Sequence, residues 1–314
     1  MWKISRLEAL AVAAGALVAV GLLVLMMVLV EAQPAEATFP GQNGRIAYHS
    51  LTKTDYEIFT IKPTGGKSFN VTQNTTDDFT PAYSPNGRRI AYEGDATGID
   101  IYTISATGGK PFKVTKNMTG GQWPSYSPDG QTIAYAWRDP LPNPDYEIFT
   151  IDATGGTPVK VTDDIGDDFS PDYSPDGQKI AFAHYPACSP CDSEIYTIDA
   201  TGGTPFQVTD NDVDIQDSAP SYSPDGTKIA YTVFDGNDSE IYTIDATGGT
   251  PFQVTDNTTE DAQPSYSPNG RKIAYVHSDG TDYQIYKIDQ KGGIPVQVTD
   301  NRTYNFEPSW GSRP

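Results

Sequence analysis

The chain has 314 residues, of which 41 are acidic and 21 are basic, so its formal net charge is −20 at pH 7. Such a surface repels phosphate backbones, which argues against a nucleic-acid-binding protein. The acidic excess favours solubility, and it also suits a basic partner or a divalent cation.

The first 37 residues have the pattern of a targeting segment. Lys3 and Arg6 precede an uncharged run from residue 9 to residue 30, and Ala35-Glu36-Ala37 matches a cleavage site. Positive charge before the run predicts that the rest of the chain is carried across the membrane. We therefore predict a signal peptide or membrane anchor over residues 1–37, with cleavage favoured, although 22 residues also suffice to span a bilayer. Residues 38–314 are predicted to lie outside the cytoplasm, as a secreted, periplasmic or cell-surface domain.

The rest of the chain repeats one pattern six times. An isoleucine that opens an Ile-Ala-aromatic step recurs at spacings of 44, 43, 47, 49 and 44 residues, at Ile46, Ile90, Ile133, Ile180, Ile229 and Ile273. The copy at residues 220–255 reads as four strands separated by Ser-Pro-Asp-Gly and Thr-Gly-Gly turns. A period in the forties with several short strands predicts an all-β fold, a six-bladed β-propeller with four antiparallel strands per blade.

The two ends of the repeat region complement each other. Residues 42–46 enter the first copy without a full Pro-Ser-Tyr strand ahead of them, and Pro308-Ser309-Trp310 forms such a strand with no copy after it. We therefore predict that the C-terminal strand completes the first blade and closes the ring.

Large aromatic residues recur at three positions of the repeat. Because 14 of the 19 tyrosines fall at these positions, packing of blade against blade explains the tyrosine content better than a ligand-stacking surface does. The three sets are Tyr83, Tyr126, Tyr173, Tyr222, Tyr266 and Trp310; Tyr48, Tyr92, Tyr135, Phe182, Tyr231 and Tyr275; and Phe59, Tyr102, Phe149, Tyr196, Tyr242 and Tyr286.

The two cysteines, Cys188 and Cys191, fall in one long loop between two strands. Outside the cytoplasm a disulfide between them would staple this loop. A redox pair or a zinc site stays open as an alternative, although neither a following helix nor further ligands are predicted there.

A candidate binding site follows from the loops that feed the innermost strands. Three residues before each strand proline stand Asp78, Gly121, Asp168, Asp217, Asp261 and Asn305. If these loops superpose, four carboxylates converge at one mouth of the channel, where they would suit Ca²⁺ or a basic peptide. Alternatively, each aspartate caps its own loop. Gly121 and the neighbouring Trp123 break the pattern, so we assign Asp78, Trp123, Asp168, Asp217, Asp261 and Asn305 to the binding surface.

No catalytic residue is assigned. His184 and His277 occupy equivalent positions of the repeat, but the sequence pairs them with no evident base or metal set. Calcium is the one cofactor considered, without a defined set of ligands.

Ser-Pro-Asp-Gly, Ile-Ala-Tyr, Glu-Ile-Tyr-Thr-Ile, Gly-Gly and Val-Thr in this order resemble the TolB-like repeat family, also called WD40-like or PD40. The resemblance implies a six-bladed propeller and leaves function open. Family proteins called TolB carry an α/β domain before the propeller, for which this chain has no room, so we expect a member other than the TolB orthologue. Related propellers cap serine peptidases, but the chain has no Gly-x-Ser-x-Gly elbow.

The resulting prediction is an exported, monomeric scaffold that binds a protein or peptide, and the membrane only through residues 1–37 if they are retained. Two alternatives stay open. One is a propeller hydrolase or lyase that acts on an envelope polymer or peptide, and the other is a surface protein stabilised by calcium.

Overall fold

The computed structural model describes residues 41–95, 98–116, 120–138, 145–187, 192–211, 215–301 and 303–314. The targeting segment at residues 1–37, Cys188 and Cys191 lie outside the described residues, so the hypotheses about them stay predictions. Within the described ranges, no helix is long and apolar enough to cross a bilayer.

The described residues form six antiparallel sheets of four strands each. In chain order the strands are β1 (Asn43–Leu51), β2 (Tyr56–Ile61), β3 (Phe69–Asn70), β4 (Asp78–Tyr83), β5 (Arg89–Gly94), β6 (Asp100–Ser105), β7 (Phe112–Lys113), β8 (Gln122–Tyr126), β9 (Thr132–Arg138), β10 (Tyr146–Asp152), β11 (Val159–Lys160), β12 (Gly166–Tyr173), β13 (Lys179–Pro186), β14 (Glu194–Asp199), β15 (Phe206–Gln207), β16 (Gln216–Tyr222), β17 (Lys228–Phe234), β18 (Ser239–Asp245), β19 (Phe252–Gln253), β20 (Glu260–Tyr266), β21 (Lys272–Ser278), β22 (Tyr283–Asp289), β23 (Val296–Gln297) and β24 (Asn305–Ser312).

Each sheet is one blade, and the predicted six-bladed propeller is confirmed. Five blades take four consecutive strands, from β4–β7 to β20–β23, and the sixth has the order β24-β1-β2-β3. In that sheet Ile46 is opposite Trp310 and Ala47 is opposite Ser309. The predicted closure of the ring by the C-terminal strand is therefore confirmed as well.

The Ser-Pro-Asp-Gly turn joins the first and second strands of a blade through a small hydrogen-bond network. Ser223 Oγ donates to Asp225 Oδ1 at 2.7 Å and accepts from the backbone N–H of Lys228 at 2.9 Å. Gly226 takes φ 70°, a conformation that glycine adopts without steric cost.

The core lies between adjacent blades. Isoleucines, alanines and two of the three aromatic sets are almost fully buried there, with Tyr48, Tyr135 and Phe182 at 0% exposure. Rings of the third set lie beside them, for example Phe59 at 6.0 Å from Tyr48 between ring centroids. The prediction that the aromatic sets pack the blades together is confirmed.

A buried polar clasp fixes the third strand of each blade to the segment that follows the outer strand. Thr72 Oγ1 accepts from the backbone N–H of Ile58 at 3.0 Å and donates to the Glu57 carboxylate. The same pair of contacts recurs at Thr162 with Glu147 and at Thr209 with Glu194. The carboxylate that opens Glu-Ile-Tyr-Thr-Ile is thus interior, which the sequence pattern does not reveal.

The outermost strands, β3, β7, β11, β15, β19 and β23, are two residues long. Strands this short leave little unpaired backbone on the rim of the propeller. They therefore offer a poor template for pairing with another chain.

Ring closure provides the first testable prediction. Trp310 is 2% exposed in a cluster with Ile46 and Tyr48 of the first blade. We expect Trp310→Ala to lower the free energy of unfolding by about 3–5 kcal/mol, because it opens a large cavity at the closing strand. Urea denaturation followed by fluorescence would measure this. The control is Tyr304→Ala, 42% exposed just before β24, for which we expect a loss below about 1 kcal/mol. Equal losses in the two variants would contradict the role of Trp310.

Candidate functional site

Every innermost strand bends at the residue before its proline. These six residues have φ between 48° and 56°, although none is glycine: Thr80, Trp123, Ser170, Ala219, Gln263 and Glu307. The pairing with the second strand shifts at the same place, for example between Phe79 and Ala82. A bulge of this kind redirects a side chain. Here it places all six residues on the wall of the central channel.

These residues surround a cavity of about 280 Å³ on the propeller axis. The other lining residues are the six prolines, the residues that follow them, Ser218, and five aromatic residues two positions after the proline: Tyr83, Tyr126, Tyr222, Tyr266 and Trp310. The acidic groups of the lining are Asp172 and Glu307, and none of the described lining residues is a lysine, arginine or histidine. The cavity is therefore suited to a cation rather than to an anion.

A belt of hydrogen bonds links the innermost strands around this cavity. In five of the six blades, the side chain of the residue after the proline accepts from the backbone N–H of the aromatic residue in the next blade. The five bonds are Ser309 with Tyr83 (3.0 Å), Ser125 with Tyr173 (3.3 Å), Asp172 with Tyr222 (2.8 Å), Ser221 with Tyr266 (3.3 Å) and Ser265 with Trp310 (3.0 Å). The sixth position is Ala82, which has no side-chain oxygen to accept from Tyr126.

Two carboxylates contribute to the electrostatics of the channel: Asp172, which is part of the lining, and Glu93, which is 4% exposed and contacts two lining residues. Glu93 Oε1 accepts from the Thr80 hydroxyl at 2.6 Å and from the backbone N–H of Trp123 at 2.7 Å. Burial, reinforced by the nearby charge of Glu307, raises the pKa of Glu93 to about 7. Burial likewise raises the pKa of Asp172 to about 7. Because burial disfavours their charged forms, both groups would gain from a cation in the cavity.

We call the end of the channel at which the innermost strands begin the channel mouth. On one side of it, the Phe169 ring lies 5.1 Å from Trp123, 4.9 Å from Tyr146 and 5.5 Å from Tyr185.

On the other side of the mouth, the His49 ring lies 5.3 Å from Phe79 and 5.4 Å from Phe306. His49 Nδ1 is 3.3 Å from Glu307 Oε2, which links this second group of rings to the cavity. Two groups of rings thus flank an acidic cavity.

Of the six residues assigned from the sequence, Trp123 lies in the cavity lining. The other five lie within the first three residues of their innermost strands and are 0–1% exposed: Asp78, Asp168, Asp217, Asp261 and Asn305. None of these five belongs to the lining. Their burial differs from the expected ring of solvent-facing carboxylates, so a binding role for them stays a prediction.

The reason is that each of these side chains turns into the junction between its own blade and the preceding one. There Asn74 Nδ2 donates to Asp78 at 2.6 Å and Asn211 Nδ2 donates to Asp217 at 2.7 Å. Burial raises the pKa of Asp78 to about 7.

Two of these aspartates each form a hydrogen bond with a histidine. His184 Nδ1 lies 2.8 Å from Asp168 Oδ1, and His277 Nδ1 lies 2.6 Å from Asp261 Oδ1. The sequence pattern indicates that these histidines are equivalent, but it does not reveal their carboxylate partners.

Apart from Trp123, sequence reasoning missed the residues on either side of the proline that line the cavity. The signal was present, because a proline within a strand marks a bulge or an edge. Read as a turn residue, this proline would begin its strand, whereas β4 begins at Asp78 and contains Pro81.

Comparison with known proteins places this geometry in a family. The model of the TolB beta propeller domain, PD40, matches residues 146–314. No curated protein sequence matched the chain.

Solved structures with the same fold include TolB from Acinetobacter baumannii, with a TM-score of 0.74 and 24% identity over 85% of this chain and 66% of that one. A protein assigned as TolB from Agrobacterium tumefaciens has a TM-score of 0.67 and 21% identity over 86% of this chain and 99% of that one. An oligogalacturonate lyase solved with manganese has a TM-score of 0.56 and 16% identity over 78% of this chain and 71% of that one. The chain thus spans just under two thirds of the Acinetobacter TolB, and at these identities the likeness concerns the fold alone.

The gap in the hydrogen-bond belt leads to a second prediction. We expect Ala82→Ser to raise the free energy of unfolding by about 0.5–1.5 kcal/mol, because the new hydroxyl can accept from the backbone N–H of Tyr126. The reciprocal variant Ser265→Ala should lower it by a similar amount. Chemical denaturation of both variants would test the belt, and a change of the same sign in both would contradict it.

The raised pKa values lead to a third prediction. Glu93 has a folded-state pKa of about 7 against an ordinary value of 4.5, so folding takes up a proton between these pH values. Stability should therefore fall as pH rises through this window. Asp78 and Asp172, with pKa values of about 7, act in the same direction. We expect the melting temperature to be higher at pH 5 than at pH 8.

Glu93→Gln isolates one of these groups. It keeps an oxygen that accepts from Thr80 and Trp123 but removes the charge, so it should raise the melting temperature at pH 8 by about 5 °C and change it little at pH 5. The control Asp199→Asn removes an exposed carboxylate, whose side chain is 65% accessible, and should have no comparable effect. A melting temperature of Glu93→Gln that tracks the wild type at both pH values would refute the assignment.

Proposed function

The chain belongs to the family of TolB β-propeller domains, and from that premise we propose that it is an exported scaffold that binds a cationic segment of another protein at the channel mouth. The observation that carries the proposal is the acidic cavity between two groups of rings. Glu307 belongs both to the cavity lining and, through His49, to one of these groups.

The size of the cavity limits what can enter it. Pockets that enclose drug-sized ligands have volumes of about 300–1,000 Å³. The channel offers about 280 Å³, which suits one side chain or a chain terminus while the rest of the segment stays outside.

The charge of the cavity favours a cation. A lysine side chain or a free N-terminal amine carries a positive charge on a slender stem, and Asp172 and Glu307 stand on the wall that it would meet. A cation there would offset the cost of burying the charges of these acids and of Glu93, because a nearby opposite charge favours the ionised form.

The rings at the mouth suit the residues that flank this cation. Phe169 and Tyr146 on one side, and Phe79 and Phe306 on the other, present partly accessible rings. Aromatic side chains contribute large contact areas in protein interfaces and attract cations to their faces. The acidic surface as a whole would speed the encounter with a basic partner.

Export is the part of the proposal that rests on the N-terminal sequence. Lys3 and Arg6 before the apolar run favour translocation of the propeller to the periplasm, the cell surface or the medium.

The binding proposal can be tested with synthetic peptides. We would titrate the full chain, purified in mild detergent, with Phe-flanked hexapeptides that differ at one position by Lys, Gln or Glu. Acetylated and free N-termini would separate a lysine side chain from a terminal amine. We expect calorimetry to detect binding of the cationic peptides alone, with an affinity that falls as salt is added.

Two substitutions and one control localise the site. Glu307→Gln and Trp123→Ala should each weaken the cationic peptide at least about tenfold, which corresponds to about 1.4 kcal/mol. Asp199→Asn changes the net charge by the same amount as Glu307→Gln but lies outside the cavity lining, so it should bind normally. Equal affinity of Lys and Glu peptides, or an equal loss in Asp199→Asn and Glu307→Gln, would overturn the proposal.

A further inference from the structure

One blade junction departs from a pattern that four others keep. In those four, an asparagine two residues after the clasp threonine donates its side-chain amide to the residue three positions before the proline of the next innermost strand. The bonds are Asn74 to Asp78 (2.6 Å), Asn211 to Asp217 (2.7 Å), Asn257 to Asp261 (2.9 Å) and Asn301 to Asn305 (3.1 Å). The asparagine thus supplies a hydrogen bond to the buried side chain at each of these four junctions, although Asp217 Oδ1 is buried without a partner.

At the junction before β12 this asparagine is replaced by Asp164, two residues after Thr162. An ionised carboxylate cannot donate, so the exchange removes the donor that Asp168 would meet. Asp168 is 0% exposed, and its Oδ2 has no hydrogen-bond partner. Asp164 Oδ1 is likewise buried without one. Unpaired buried acceptors are costly, and a positive charge between them would remove this cost.

An imidazole completes the group. His184 Nδ1 lies 2.8 Å from Asp168 Oδ1 and 3.6 Å from Asp164 Oδ1. Donor atoms of the three residues all fall within 4.8 Å of one another, a separation that a single metal ion can bridge.

The histidine ring is held in place by the backbone around it. A Cβ at Gly166 would stand 2.7 Å from His184 Cε1, so the ring packs where only glycine leaves room. Gly166 also has φ 152°, which other residues rarely adopt. On another side, the ring meets Tyr196 at 5.3 Å between centroids. A fixed ring is the preorganisation that a ligand needs.

We propose that Asp164, Asp168 and His184 bind one divalent transition-metal ion, Zn²⁺ or Mn²⁺, at this junction. Imidazole favours transition metals, whereas the two carboxylates widen the choice from Zn²⁺ to Mn²⁺. Asp164, with a side-chain exposure of 36%, leaves the site open to solvent on one side, so water can fill the remaining coordination positions. Lys160 is nearby, 3.1 Å from Glu147 and 2.5 Å from Asp163.

The molecule contains a matched control. Asp261 and His277 repeat the carboxylate-imidazole pair of Asp168 and His184, at 2.6 Å, but the third residue there is Asn257. Because the amide of Asn257 already donates to Asp261, this second junction has its donor and is not a metal site.

The test is a metal titration of the full chain, stripped with EDTA, dialysed and kept in mild detergent. ZnCl₂, MnCl₂ and CaCl₂ would be added separately, with calorimetry and thermal melting as readouts. We expect one equivalent of Zn²⁺ or Mn²⁺ to bind and to raise the melting temperature, since a ligand that binds only the folded state stabilises it.

Two substitutions at equivalent positions decide the assignment. Asp164→Asn restores the amide of the other junctions, so it should weaken metal binding at least about 100-fold while the metal-free protein melts no lower than the wild type. Asn257→Asp should create a second equivalent of binding at Asp261 and His277. This pair of outcomes is independent of peptide binding at the channel mouth.

The proposal fails if none of the three salts produces heat or a melting shift. It also fails if Asp164→Asn binds as tightly as the wild type, which would place the ion among other surface carboxylates. Binding of Ca²⁺ in preference to Zn²⁺ and Mn²⁺ would overturn the assigned class of metal.

Discussion

The propeller depends on the pairing of its last strand with its first sheet. β1 pairs with β24 along Asn43–Ser312 and Ile46–Trp310, across almost the whole length of the repeat region. The core cluster at this junction combines Ile46 and Trp310 with Ala274 of the preceding blade. This cluster cannot form, and the first sheet cannot be completed, before the end of the chain is in place. Because closing so long a loop is slow, we expect the ring to close late in folding and in one cooperative step.

Much of the fold could be predicted from the sequence because each repeat forms the same local structure. The turn at Ser223–Gly226 and the buried Ile229-Ala230-Tyr231 strand recur with little change, and recurrence alone sets the number of blades. The complementary fragments at residues 42–46 and 308–311 indicated the closure in the same way. Local pattern and global fold agree here, as expected of a sequence that folds to one state.

The candidate site was harder to predict because burial of a side chain depends on contacts between blades. Asp78 is 1% exposed and accepts a hydrogen bond from Asn74 of the connecting loop. Spacing along the sequence does not reveal that partner. The cavity residues Thr80, Trp123 and Glu307 share a backbone conformation while differing in chemistry. Positions with the same residue type in every blade stabilise the ring. Positions whose residue type varies at the same backbone conformation determine the chemistry of the channel.

The hydrogen bonds at the start of β1 bear on how the molecule can be presented to a partner. Asn43 is opposite Ser312, and the backbone N–H of Arg313 donates to the carbonyl of Gln42 at 2.9 Å. Both ends of the propeller therefore emerge beside the Ser-Pro-Asn-Gly turns, where the Asn43 side chain accepts from the backbone N–H of Asn269. The innermost strands begin at the opposite face. A tether at residue 41 or at Pro314 would hold the molecule at the face opposite the channel mouth and leave the two groups of aromatic rings facing outward.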